Sequence, residues 1–187
     1  MTLLGPSGLV LGTGPRGQVA MRIFRPIGTR LALGAPEYVS WLVAYRAGAL
    51  GAHLTVLGDA GPWAPLLERL GQAGISVEAS RRAPDQGYPY RPSLILGDPP
   101  PHVGPWQAHV GLVSPEDAAG RFRSADLALV TPDDEMAGHL RRAFHLTGGQ
   151  LRAAAALSEN QVAFTTDHRL VRVTVRPGPL EYRALFG

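Results

Sequence analysis

The chain of 187 residues contains no cysteine and no lysine; all 18 of its basic side chains are arginine. The first absence excludes disulfides and thiol catalysis, and it leaves the compartment open, because a cysteine-free chain survives in any redox environment. The second excludes a Schiff-base lysine and the lysine with which a P-loop reaches its phosphates. Abundant Ala, Gly, Pro and Arg agree with a high-GC coding bias as the cause, but the chemical consequence holds whatever the cause. No apolar run approaches the ~20 residues a membrane helix needs. The opening MTLLGPSGLVLG has no basic n-region and too many glycines for a signal peptide, so a cytosolic protein is expected. The net charge of +3 is modest and its arginines are scattered, which gives no concentrated footprint for nucleic acid.

What is present is a rhythm of short apolar runs alternating with amphipathic stretches. Residues 29–59, TRLALGAPEYVSWLVAYRAGALGAHLTVLGD, read as strand, tight turn, helix and strand. Pro36 suits a first helical turn and Glu37 favours its positive end. Helical stretches follow at residues 62–73, 114–123, 133–145 and 147–157, with strands at 75–79, 94–96, 106–113 and 126–130. The segment 80–92 reads as a polar surface loop punctuated by Pro and Gly. Residues 161–165 and 169–175 form an antiparallel hairpin, and PGPLEYRALFG ends the chain in a helical turn.

The predicted fold is α/β: three layers, a mostly parallel sheet with helices on both faces and antiparallel hairpins at its edges, of the P-loop or Rossmann-like kind. One domain spans 1–187. Residues 1–28 form an N-terminal hairpin, 29–146 the core, and 147–187 a helix, hairpin and tail.

The chemistry expected of such a fold is missing. Gly12, Gly14 and Gly17 match G-x-G-x-x-G, but QVAMRIF after them alternates as a strand, where the dinucleotide fingerprint needs a helix. A hairpin turn is the better reading. Aligned to G-x-x-x-x-G-K-[ST] from Gly34, the chain reads G-A-P-E-Y-V-S-W. Val39 replaces the second glycine, Ser40 the lysine and Trp41 the residue that holds Mg²⁺. Pro36 removes a cradling N–H, and Glu37 puts a carboxylate where a phosphate would sit. Asp59 stands where a Rossmann acid would take a ribose, and Asp98 where a Walker B acid would sit. Both also suit ordinary strand-end turns. The six histidines (53, 102, 109, 139, 145 and 168) show no metal spacing, and His102 with His109 makes at most a weak pair. No G-x-S-x-G elbow occurs, and Asp133, Asp134 and Glu135 are explained by the helix dipole. No catalytic residue, metal or cofactor is assigned. Gly34, Glu37, Ser40, Asp59 and Asp98 remain as positions of a degenerate nucleotide site.

LVLGTGPRGQVAMRIFRPIGTRLALGAP resembles the lead-in to the P-loop of FtsK-type and conjugation-type motor ATPases, with LILGD similar to their Walker B strand. RIFRP, the A-x-x-x-GA-x-x-x-V pattern of residues 47–56, DLALV and PGPLEYRALFG are similar to actinobacterial proteins associated with type VII (ESX) secretion. The resemblance implies a degenerate ATPase module that serves assembly rather than hydrolysis, with secretion machinery as its protein partner. It also implies a place in the cytoplasm, peripheral to a membrane secretion complex. Leu180, Tyr182, Leu185 and Phe186 are too apolar for a free tail; they either pack on their own domain or dock on a partner. The alternative function is a Rossmann-like nucleotide or dinucleotide binder, a small oxidoreductase or sensor.

Overall fold

The short apolar runs become strands and the amphipathic stretches become the helices that cover them. The computed structural model describes residues 8–187, so residues 1–7 of the N-terminal segment lie outside it. In chain order the elements are β1 (Leu9–Gly14), β2 (Gly17–Met21), β3 (Thr29–Gly34), α1 (Glu37–Ala49), β4 (His53–Leu57), α2 (Ala64–Gln72), β5 (Val77–Ser80) and β6 (Ser93–Gly97). They continue with β7 (Gln107–Leu112), α3 (Ala118–Ser124), β8 (Leu127–Val130), α4 (Asp134–Phe144), α5 (Gly148–Ala155), β9 (Gln161–Thr166), β10 (Arg169–Thr174) and α6 (Pro179–Leu185).

All ten strands form one sheet, in the order β2-β1-β10-β9-β8-β3-β7-β6-β4-β5. The run from β8 to β5 is parallel, with β3 hydrogen-bonded between β7 and β8. Leu31, Leu33, Leu94, Leu96, Ala108 and Val110 are buried, as expected of parallel strands covered on both faces. Helix α1 carries the chain from β3 across β7 and β6 before it returns in β4, so the opening βαβ unit is a wide crossover.

The antiparallel part is larger than an edge decoration. Hairpin β9–β10 pairs with β8, and hairpin β1–β2 is added to β10 through Thr13 opposite Thr174. Both hairpins therefore extend the same side of the parallel core, and the opposite edge is the parallel strand β5. At the β1–β2 turn Gly17 is left-handed (φ 112) and opens a strand, so the glycine-rich stretch has no helix after it.

Two cores sit on the two faces. One gathers Val39, Leu42 and Val43 of α1, Leu66 and Leu70 of α2 and Leu185 of α6. The other gathers Phe122 of α3, Leu140 and Phe144 of α4 and Ala154 of α5. Helix ends follow local chemistry: the Asp133 carboxylate accepts from the Met136 N–H, and Thr147 with Gln150 makes a reciprocal capping box on α5. The segment 80–92 is pinned rather than loosely draped. The buried Gln107 amide accepts from Gly104 N at 2.9 Å and donates to the Pro84 carbonyl at 2.8 Å. No helix among the described residues is long and apolar enough to cross a membrane.

The C-terminal helix is held by one side chain above all. Arg46 on α1 donates from Nε to Glu181 Oε1 at 2.6 Å and from Nη2 to Oε2 at 2.9 Å. Its Nη1 donates to Leu11 O at 2.6 Å, and Nη2 also reaches Arg176 O at 3.0 Å. Glu181 in turn accepts from Gly178 N at 2.7 Å. Beside this knot Phe186 stacks on Trp41 with centroids 5.7 Å apart, and Tyr38 donates to Val175 O. Leu185 is buried, whereas Leu180 and Tyr182 face outward. The tail thus packs on its own domain through two of its four large apolar residues.

Replacing Arg46 by Met leaves Glu181 half-buried without its counter-charge and is expected to cost about 2–4 kcal/mol in denaturant unfolding. A chain truncated after Val175 is expected to lose several degrees of melting temperature. The Arg46 hydrogen bonds hold the Glu181 carboxyl below its ordinary 4.5 against the opposing effect of burial. This contribution is therefore complete above pH 4.5 and lost as pH falls below it, a dependence that Glu181→Gln should remove from a pH series of melts.

Candidate functional site

In an α/β sheet a ligand is received at the carboxyl ends of the parallel strands, where a helix N-terminus points at it. Gly34 lies at that end of β3, and only Ala35 and Pro36 separate it from α1. A phosphate-wrapping loop needs several successive N–H groups that converge on one point; two residues, one of them proline, cannot provide it. The end of β3 is also packed against α4. A Cβ on Gly34 would meet Met136 Sδ at 3.3 Å and Val113 Cβ at 3.4 Å, because the first turn of α4 folds over it. The Gly34 carbonyl is taken by Thr131 N at 2.9 Å.

The other positions expected of a degenerate nucleotide site do not share one pocket. Glu37 is exposed at the start of α1, where the dipole favours it. Ser40 is buried, and its hydroxyl donates back to Glu37 O at 2.7 Å instead of toward solvent. Asp98 lies at the end of β6, one strand beyond β7, with its backbone N–H on Leu57 O and its carboxylate packed over the left-handed Gly58. Asp59 lies two residues beyond β4, and its Oδ1 accepts from Gly61 N at 2.9 Å in a local turn. Three strand spacings separate β4 from β3, about 14 Å at the usual inter-strand distance. An acid there cannot take the ribose of a nucleotide seated on the Gly34 turn.

His109 is the most perturbed ionisable group. It sits on β7, 3% exposed, with Nε2 at 3.2 Å from the Gly97 carbonyl. Burial, with Arg30 and Arg121 nearby, lowers its pKa from 6.5 to about 4, although the Gly97 hydrogen bond opposes the shift. The ring is therefore neutral at physiological pH. His102 is exposed, so the two histidines differ in environment. A neutral ring with its hydrogen bond made on the protein's own backbone fits a core role.

Sequence spacing missed a different constellation. His145 at the end of α4 and Asp167-His168 in the β9–β10 turn meet at the surface, although more than twenty residues separate them. The signal available beforehand was that a helix end and a hairpin turn each carried a histidine. Nothing local indicated that the two would touch.

Neither a family model nor a curated protein matches the chain. Among solved structures the fold is similar to that of VirB4 of Thermoanaerobacter pseudethanolicus, with a TM-score of 0.61 at 9% identity. The match covers 94% of this chain and 98% of that one. At this identity the likeness concerns the fold alone, and no residue role follows from it.

Because folded His109 stays neutral while the unfolded chain binds a proton, stability is expected to fall as pH drops from 6.5 to about 4. His109→Gln, which keeps a donor for Gly97, should flatten that part of the pH profile in urea melts. An unchanged slope would show that other groups set it.

Proposed function

We propose that this chain is a non-catalytic, pseudo-ATPase-like scaffold or regulatory component that works with type VII secretion machinery, at the cytoplasmic side of the membrane complex. The observation that carries the non-catalytic half is the short turn after β3, two residues long with Met136 packed against its Gly34, in a chain that has no lysine. Hydrolysis would need a phosphate seat, a cation and a metal-bearing hydroxyl at that turn, and each of those places is taken by a residue that opposes it. The secretion half is supported by the resemblance to conjugation-type motor ATPases and type VII-associated proteins, and by the likeness in fold to VirB4.

Partner binding is supported by what the fold leaves outside. Leu180 and Tyr182 on α6 are 73% and 58% exposed, and Tyr88 and Tyr90 stack on each other on a projecting turn. Aromatic side chains of this kind are the usual anchors of protein interfaces. The rival reading, a dinucleotide binder, is weakened by the distance of Asp59 from the Gly34 turn and by the strand that opens at Gly17.

Two measurements test the reading. Mg-ATP and NAD(H), titrated in thermal-shift experiments, are expected to leave the melting temperature unchanged, with no hydrolysis above background. A saturable rise with Mg-ATP, or turnover abolished in Asp98→Asn, would overturn the non-catalytic assignment. Micromolar NAD(H) binding lost in Asp59→Ala would favour the rival. Pull-down from the native host is expected to recover type VII machinery components, and to lose them in a Leu180→Ser/Tyr182→Ser variant of unchanged melting temperature.

A further inference from the structure

We propose that His145, Asp167 and His168 form a surface site for one divalent transition-metal ion of the zinc, nickel or copper type. The three side chains come from two elements that the fold fastens together. The His168 N–H donates to the Phe144 carbonyl at 2.8 Å, tying the β9–β10 turn to the last residue of α4. Gln150 on α5 donates to the His168 carbonyl at 2.9 Å from the other side. The backbone on which the ligands stand is thus set before any ion arrives.

The side chains already face one another. His145 Nδ1 is 2.8 Å from Asp167 Oδ1, and His168 Nε2 is 3.6 Å from Asp167 Oδ2. The two imidazoles stack with centroids 5.1 Å apart and planes 27° from parallel. One ligand atom from each residue lies within 4.8 Å of the other two. Metal bonds of roughly 2.0–2.2 Å bring neighbouring ligands to about 3–3.5 Å from each other, so the set needs only small side-chain rotations to close. All three residues are exposed and free to make them.

The donor set selects the ion. Two imidazole nitrogens and one carboxylate suit borderline metals, whereas Mg²⁺ and Ca²⁺ want oxygen throughout. Three protein ligands leave a fourth position for water or for a side chain of a bound partner. Both histidines occupy left-handed backbone, at φ 54 and φ 60, where Gly or Asn is the usual occupant.

The experiment uses the complete, tag-free chain, titrated with Zn²⁺ and with Ni²⁺ by calorimetry near neutral pH, with a parallel melting series. The wild type is expected to take up one ion per chain and to melt higher with Zn²⁺ present. His145→Asn and His168→Asn suit the left-handed backbone, so they should keep their metal-free melting temperature. Each should weaken binding by about 100-fold or more, beyond the roughly 10–100-fold cost of losing an outer-shell partner. His102→Asn, in an exposed loop elsewhere, should bind as the wild type does. The proposal is overturned if neither ion binds saturably, or if affinity is unchanged in both His→Asn variants of the cluster.

Discussion

Arg46 holds the two halves of the molecule on one face of the sheet. Its helix lies over the parallel strands, yet its guanidinium donates to the backbone of β1, to the linker after β10 and to both oxygens of Glu181. Arginine suits this place because its planar fork matches a carboxylate while the remaining N–H groups reach carbonyls in fixed directions. Both charges are only 17% exposed, so solvent screens them weakly and neither can be removed without leaving the other uncompensated. Helix α6 has seven residues, too few to be stable alone. It exists because Leu185 is buried, Phe186 stacks on Trp41 and Arg46 fixes Glu181. From this contact the antiparallel extension and the C-terminus both acquire their position.

The same frame explains the state of the β3 turn. β3 is hydrogen-bonded on both edges, and the first turn of α4 crosses its carboxyl end. In a nucleotide-binding protein that space belongs to phosphate and its loop. Here Met136 packs against Gly34, Thr131 takes the Gly34 carbonyl, and only two residues connect β3 to α1. The residue that packs there belongs to the first turn of α4, whose N-terminus is capped by Asp133.

Local chemistry made much of the fold legible in the sequence, and distance hid the rest. The caps at Asp133 and Thr147, the breaks at Gly34 and Gly97, and the β9–β10 hairpin all depend on neighbours a few residues away. The existence of the elements could therefore be read from periodicity and turn residues. The start of α3 could not, because residues 114–117 spell a helix start but form a capping turn in which Asp117 accepts from Ser114 N. Strand order was equally out of reach. That β7 and β6 stand between β3 and β4 is set by which apolar runs pair, and the runs LALG and LILG look alike. Arg46 fits the helical spacing of α1 as well as any boundary residue would, and its partner lies 135 positions away. The mismatch with a phosphate-binding turn and the tightness of the connection after Gly34 were legible in the sequence, but the packing of Met136 against Gly34 needed coordinates.

On the proposed reading, loss of chemistry and retention of shape have one physical cause. A hydrolysing module must change conformation with its ligand, which requires an element near the phosphates with two arrangements of similar energy. Here the Gly34 carbonyl is paired with Thr131 N–H, Met136 packs against Gly34, and α4 is capped by Asp133. On this reading no second arrangement is on offer for a nucleotide to select, and by linkage a ligand without differential affinity shifts nothing. What the frame still offers a neighbour is fixed geometry, with α6 and the Tyr88–Tyr90 turn held outward on a rigid sheet. A surface of that kind favours docking, because ordering costs already met in folding need not be met again on association.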